Sequence, residues 1–572
     1  MNNSLKQAPV GKDRLREGIR LLGLYKNGRA SVERRITEDE KFWNSRHECT
    51  PISSSSDMPS PASAWMFSVI VNKHADMLEN IPTPICLARE ESDECAADTL
   101  NSVLPVIYDR LSFTQVYSDA MYDKLKHGTA VYGVFWDPCA ENGIGDIEIK
   151  RIDLLNLYWE PGIRELQDSS NIFYVSLMDR EALLEKYPQA ADSSAAGSAS
   201  VGFLSSNESG KSVIVDWYYK KKIGTRSVLH YIKFTGDTLL YASENDPECE
   251  LGFYAHGMYP FVFDVLYRES DSPCGYGLIS ITKGTQKYID RLDENIIERS
   301  IMASKPRYMI KKNVGLDKNE FLDWNNPLVE VEGDLTEERL KAITLPSLDE
   351  SVITVRDSKI NEMREVASNR AVNYGETSQN LTSGVAIAAL QEAGSKVSND
   401  IISGSWNAFM LVTRLVIELL REFYTEERCF RITRPNEEAY SYITFSGRDI
   451  GEKKLELGGM TLYRLPVFDI EVRAGKSSAF SRLAQNETVI NLYKLGLFKP
   501  ENAYEAMTVL DALELEGKSR MLDNIKKNLA SMGISEGNET PSDSSSRGIG
   551  ATSKLSQAVH SASKLYDGGG HI

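Results

Sequence analysis

Residues 383–424 read SGVAIAALQEAGSKVSNDIISGSWNAFMLVTRLVIELLREFY. The run holds no proline, and Ile387, Leu390, Val397, Ile401, Ala408, Leu415 and Leu419 recur at helical spacing. Thr382 or Ser383 can serve as N-cap. A single helix of this length would be on the order of 60 Å long. That is too long for local packing in a small domain and suggests a strut in a large assembly.

Two more helices precede it. The first is expected over about 276–304, with Ile281, Tyr288, Ile289, Leu292, Ile296 and Ala303 on one side and Lys283, Lys287, Asp290, Arg291, Asp293, Glu294 and Glu298 on the other, ended by Pro306. The second is expected over about 348–370, with Ile353, Ile360 and Ala367 seven apart, Met363 beside them, and Asp349 and Glu350 in the first turn, where the helix dipole favours negative charge. An insert of about forty residues (307–346) lies between them, with strands expected at 308–311 and 328–332 around a short helix at 318–324. It is too small to hold a large core alone. A polar loop, 372–381 (VNYGETSQNL), separates the second helix from the long one.

The 572 residues allow several domains, and 41% hydrophobic with 26% charged content is ordinary for a globular chain. A net charge of −17 argues against a surface that clings to nucleic acid, though not against one that lets DNA slide past. The seven cysteines (Cys49, Cys86, Cys95, Cys139, Cys249, Cys274, Cys429) are scattered without a CxxC pair, which speaks against a disulfide framework or zinc knuckle and fits a reducing compartment. The first residues are polar, with no apolar core of a secretory leader. The best membrane candidate, 401–413, carries Ser403, Ser405 and Asn407 and falls short of about 20 apolar residues, so a buried helix is expected there.

Upstream, 12–46 looks helical, with Leu15, Ile19, Leu22 and Ile36 apolar and Phe42 and Trp43 able to dock it on the body or a neighbour. Residues 50–63 read as a linker. Helices are expected at 65–78 and 98–126, the latter interrupted or kinked at Pro105. Strands follow at 130–136, 147–152, 155–159 and 172–177, then a short helix at 179–187 with Asp179 as cap. A Ser/Gly/Ala-rich loop spans 190–211, a meander follows at 213–219, 227–234 and 238–241, and an apolar run occupies 260–267. After the long helix, strands are expected at 429–433, 441–445 and 468–472 and helices at 481–494, 500–514 and 516–529, ahead of a low-hydrophobicity tail from about 533.

Catalytic patterns are sparse. No Walker A sequence occurs, the Gly275–Gly277 pair is only a fragment of a dinucleotide fingerprint, and the seven histidines lack metal-ligand spacing. His127, before Gly128, reads as a helix C-terminal residue. Asp290, Asp293 and Glu294 cluster on one helix. A two-metal nuclease site is conceivable there, but the alternating Lys287 and Arg291 favour ion pairing along the helix. Cys274 has no evident base partner.

The order of features resembles the portal proteins of tailed bacteriophages. The stretches IEIKRIDLLNLYWEP (147–161), DREALLEKYP (179–188), YPFV (259–262), YGLI (276–279) with Gln286, Asp290 and Asn295, GVAIAALQEAG (384–394), RAGKSSAFSR (473–482) and LGLF (495–498) carry the likeness over roughly residues 62–532. It implies an α+β portal fold that closes into a ring: arm and linker (1–63), β-rich wing (64–272), stem helix (273–305), α/β clip (306–346), second stem helix (347–371), channel loop (372–382), wing with long helix (383–476), helical crown (477–532) and tail (533–572).

The implied role is a dodecameric channel at one capsid vertex of the virion, assembled in the host cytoplasm. Through it the terminase large subunit would drive double-stranded DNA, and through it DNA would later leave. Head-completion or tail-adaptor protein, major capsid protein and a scaffold protein are the implied partners; no cofactor, membrane or enzymatic activity is implied. By the same resemblance Asn373, Tyr374, Gly375, Glu376, Thr377, Ser378, Gln379 and Asn380 would face the lumen, whereas loop base rates alone favour an ordinary exposed connection. Lys305, Arg307, Lys311 and Lys312 would meet phosphate at the channel exit or pair with acidic residues of the next subunit. Lys318, Asp323, Glu330, Glu332 and Asp334 would form a docking surface, or simply a solvated loop. A metal-dependent nuclease and another ring or adaptor protein of the virion are the alternatives.

Overall fold

The computed structural model describes residues 10–44, 63–79, 81–192, 211–223, 226–249, 252–304, 307–310, 340–343, 349–367, 384–432, 441–457, 460–474 and a few isolated positions between 486 and 509. It is a mixed α+β structure. Helices α1 (Lys12–Gly28), α2 (Ala30–Trp43) and α3 (Trp65–Leu78) lead to strand β1 (Pro82–Ala88), then α4 (Glu94–Arg110) and α5 (Phe113–His127). Strands β2 (Thr129–Asp137), β3 (Asp146–Ile152), β4 (Leu157–Trp159) and β5 (Asn171–Asp179), helix α6 (Arg180–Lys186), and strands β6 (Lys211–Ile223), β7 (Arg226–Thr235), β8 (Thr238–Ala242) and β9 (Phe261–Val265) come next. A two-residue ladder of β10 (Tyr267–Arg268) and β11 (Gly275–Tyr276) precedes α7 (Leu278–Ser304). Strands β12 (Arg307–Ile310) and β13 (Leu340–Ile343) precede α8 (Glu350–Val366) and the 40-residue α9 (Gly384–Phe423). Strands β14 (Arg428–Ile432), β15 (Ser441–Phe445), β16 (Lys453–Leu457), β17 (Met460–Arg464) and β18 (Phe468–Ala474) complete the described chain.

The main core lies between α2–α5, the three-stranded sheet β3-β2-β9 and α9. Ile401, Ala408, Leu415 and Leu419 of α9 are buried there, and Val397 is partly exposed. A second sheet, β4-β5-β6-β7-β8, is an antiparallel meander. Its Phe173, Trp217, Ile232 and Phe234 pack with Leu15, Leu22 and Tyr25 of α1. The arm therefore docks on its own body: Phe42 is buried, and Trp43 lies 5.0 Å from Phe67 and 5.9 Å from Tyr122, ring centre to ring centre.

Two expectations need correction. The break in the 98–126 region falls not at Pro105, which sits inside α4, but at Ser112, whose φ of 51° reverses the chain. Gly128 (φ 85°) then closes α5, and a Cβ on it would lie 2.2 Å from the Tyr276 backbone, so only glycine fits. Asp179 occupies the N-cap position of α6 without a side-chain capping bond. Two strand pairings escaped the local pattern. Pro82 and Pro84 argue against a strand, yet β1 pairs antiparallel with β18 from Pro82↔Ala474 to Ala88↔Phe468 in an isolated two-stranded ladder, where missing N–H donors are tolerated. The partner of β12 is β13, Arg307↔Ile343 to Ile310↔Leu340. The expected strand at 328–332 and helix at 318–324 lie outside the described residues, as do nearly all of 477–532 and all of the tail.

Candidate functional site

Helices α7 and α8 form an antiparallel pair. Ile289 packs with Ile360, Met363 and Ala367, and Arg356 donates to Asp293. Asp349 caps α8 by accepting from Ser351 N at 3.1 Å. The near turns are embedded against α2, α3 and α5, while the far turns are largely exposed. Exposed apolar side chains decorate the pair: Tyr288 at 66%, with Ile281, Met302, Ile353, Val355 and Val366.

The faces of α7 differ from the expected division. Its buried stripe is Leu278, Ile279, Thr282, Gln286, Ile289 and Asp290, whereas Ile281 and Tyr288 face outward. Asp290 is fully buried because its Oδ1 accepts from Ser63 N (2.9 Å), Ser63 Oγ (2.8 Å) and Gln286 Nε2 (2.8 Å). It ties the start of α3 to α7 and satisfies donors that would otherwise be orphaned. Asp293 pairs across the helices with Arg356, holding that guanidinium above its ordinary pKa, instead of along α7 with Arg291. Lys287 lies 5.3 Å from the Phe42 ring centre. These carboxylates are thus engaged in structural contacts, and among the described residues no group of three or more His, Cys, Asp and Glu is placed to hold a metal ion.

Of the residues singled out from the sequence, Asn373, Tyr374, Gly375, Glu376, Thr377, Ser378, Gln379 and Asn380 lie outside the described residues, between α8 and α9. So do Lys305, Lys311, Lys312, Lys318, Asp323, Glu330, Glu332 and Asp334; Arg307 is placed only as the first residue of β12.

The polar seam under α9 went unread. Lys124 of α5, wholly buried, donates to Asp264 Oδ1 (2.6 Å), Ser405 Oγ (2.7 Å) and the Ile401 carbonyl (3.1 Å). Two turns earlier Lys73 of α3 donates to Ser398 Oγ (2.9 Å), which donates to Asp76 (3.0 Å); burial lowers the Lys73 pKa. Further on, Tyr108 and Thr413 hydroxyls meet at 2.9 Å. The available signal was a lysine inside each apolar helix face, with Ser398 and Ser405 seven apart on α9. His127 does end α5, where its Nε2 lies 2.9 Å from Glu40 Oε1; Lys126 Nζ reaches the same oxygen at 2.6 Å. Those two contacts hold Glu40 down at about 2. Cys274 is buried and its thiol is pushed up to about 12, chiefly by desolvation, so it is inert at neutral pH. No helix among the described residues is long and apolar enough to cross a membrane.

Compared with known families, residues 74–547 match the phage P22-like portal proteins. The chain belongs to that family. A curated relative, the portal protein of Helicobacter pylori bacteriophage KHP30, is 23% identical over 377 residues, which are 64% of this chain and 59% of that protein. The chain thus matches about three-fifths of that relative's length. The P22-like family match includes β1–β18 and all three of α7, α8 and α9, but starts inside α3. The paired helices α1 and α2 precede it.

Proposed function

We propose that this portal-family chain is the subunit of a ring, expected to be a dodecamer, that forms the DNA channel at one vertex of a phage capsid. The family match over residues 74–547 carries this reading. The exposed apolar side chains of α7 and α8 agree with it, since copies placed side by side around an axis would cover surface that one copy leaves wet. In this assignment α7 and α8 are the stem, residues 306–346 the clip, residues 372–382 the channel loop, α9 and the sheets the wing, and residues 477–532 the crown. The chain's part is structural. DNA would be driven through by the terminase large subunit docked at the clip, which a head-completion or tail-adaptor protein would occupy afterwards. Major capsid protein would surround the ring, and a scaffold protein could help nucleate it. The net charge of −17 suits a conduit, because a wall that repels phosphates does not trap the passing duplex.

The nuclease alternative gains no support from Asp290 and Asp293, whose oxygens are engaged by Ser63, Gln286 and Arg356. The test is negative-stain electron microscopy of the purified full chain. Closed rings with a central hole are expected. A compact monomer at high concentration would refute the reading.

A further inference from the structure

The β1–β18 ladder has two unlike edges. Cys86 donates its N–H to Asn101 Oδ1 (2.6 Å), and its carbonyl accepts from Asn101 Nδ2 (3.0 Å). Both backbone groups therefore point away from β18. Alternate residues of an antiparallel ladder point the same way. Pro82, Pro84, Cys86 and Ala88 thus turn their backbone groups outward on β1, and their partners Ala474, Val472, Ile470 and Phe468 turn theirs outward on β18. The β1 edge is closed: both prolines lack the N–H that a further strand would need, Asn101 occupies Cys86, and α4 packs against the strand.

The β18 edge is open. Among the described residues, the outward N–H and C=O groups of Phe468, Ile470, Val472 and Ala474 have no hydrogen-bond partner, and β1 is the only strand beside β18. The strand reads FDIEVRA, with no proline, glycine or lysine to blunt it, and its register with β1 runs without a bulge. Apolar surface continues from it. Exposure alternates from Tyr463 to Arg473, so Tyr463, Leu465 and Val467 stand outward ahead of Asp469, Glu471 and Arg473. Leu87, opposite Asp469 on β1, is exposed as well.

We propose that the open edge of β18 is completed by an extended segment of a second copy of this chain, added as a third strand. The proposal rests on the ring reading above and says where neighbouring copies join. An unblunted edge is a template for pairing, and in a ring the nearest chain is another copy. The outward Tyr463, Leu465 and Val467 fit a permanent contact between identical chains, which is more apolar than a passing one. One closed and one open edge also give the ladder a direction. Cyclic closure needs this, because it joins two different faces of the same chain. Main-chain hydrogen bonds would hold the added strand, and its alternate side chains would cover the apolar row.

Hydrogen exchange resolved to single residues by mass spectrometry, on full-chain rings and on protomers dissociated by dilution, tests this. On assembly the amides of Phe468, Ile470 and Val472 should slow about tenfold or more. Those of Asp469, Glu471 and Arg473, already bonded to β1, should change far less. Rings in which the outward amides stay as fast as in the protomer would overturn the inference. Protection already present in the dissociated protomer would overturn it too, since another part of the same chain would then fill the edge. Val472→Pro removes one outward N–H and keeps every bond to β1, so it should raise the protomer concentration for half-assembly about tenfold or more. Val472→Ala sheds side-chain bulk but keeps the N–H, and should still close rings. Equal assembly by the two variants would overturn the inference; if Val472→Pro does not fold, the wild-type exchange pattern decides alone. Absence of wild-type rings would sink the ring reading and this one together, whereas rings with a fast β18 edge would sink this one alone.

Discussion

Lys124→Met is the most informative single change. It keeps the length of the side chain and removes its charge, leaving the wholly buried Asp264 carboxylate opposite an apolar group and Ser405 without its donor. Asp264 Oδ2 already lacks a hydrogen-bond partner, so little else is at hand to steady the charge. Breaking a buried pair from one side typically costs about 3–5 kcal/mol. At about 4 kcal/mol, amides of α9 between Ile401 and Leu420 should exchange about 1,000-fold faster at pH 7. The double variant Lys124→Met with Asp264→Leu should recover most of the loss, because an apolar pair of similar volume is often neutral or better. Protomer concentration must be fixed, since association would shift apparent stability. A single variant costing less than about 1 kcal/mol, or a double variant no better than the single, would refute the claim that this ion pair seats α9.

Glu422, near the end of α9, accepts from Ala255 N, and desolvation pushes its carboxyl up to about 7. A raised acid pKa means the folded state holds the proton more tightly, so this site's contribution falls as pH rises from about 4.5 to about 7. Glu422→Gln should therefore stabilise the protein at pH 8, by about 1–2 kcal/mol once partial exposure is discounted, and have little effect at pH 4.5; paired thermal melts at the two pH values check this. Asp290→Ala should cost about 1–3 kcal/mol by stranding the Ser63 N–H, while Gln286 Nε2 keeps the Ser63 carbonyl and hydroxyl, read by urea titration. A cleavage assay with magnesium and plasmid DNA should give no cutting for the wild type or this variant. Shortening residues 372–381 by four should leave rings intact in electron micrographs and reduce packaged DNA; full packaging would exclude a lumenal role for that loop.

Helices wrote themselves into the sequence more openly than strand pairings did. The long α9 and the span of α3 are legible because apolar periodicity sustained over three or more turns rarely arises except in a helix. The meander β6–β8 is legible because consecutive strands carry their turn residues between them. The β1–β18 ladder joins segments almost 400 residues apart in a stretch that two prolines mark as irregular. Hairpin β16–β17 hides in the charged segment around Lys453–Leu457 and is anchored by Lys453 and Arg464 on the buried Asp93. On α7 the periodicity was right and the face was wrong. The helix buries Gln286 and Asp290 because Ser63, over 220 residues earlier, supplies their partners, and no local window contains that information. Lys73 and Lys124 were hidden for the same reason: a charge in an apolar stripe reads as an edge until its distant serine or aspartate is known.

The two kinds of surface on the three long helices then divide the work. Apolar contact is tolerant of sliding, because one methyl replaces another at similar cost; a lysine buried on a serine hydroxyl and a carbonyl has one acceptable register. Helix α9 carries such fixed points at Ser398, Ser405 and Thr413, spaced along the face it turns to α3, α5 and α4. The far turns of α7 and α8 carry the cross-helix ion pair Asp293–Arg356 and present exposed Met302, Ile353 and Val355, with exposed Tyr288 nearer the body. In a ring, that arrangement would hold each copy's long strut immovable within its own body. Freedom to adjust would lie between copies, along stem faces able to repack as the channel opens or narrows. Lys124→Met should accordingly loosen α9 within a copy, whereas Tyr288→Ala should weaken association between copies and leave α9 protection unchanged.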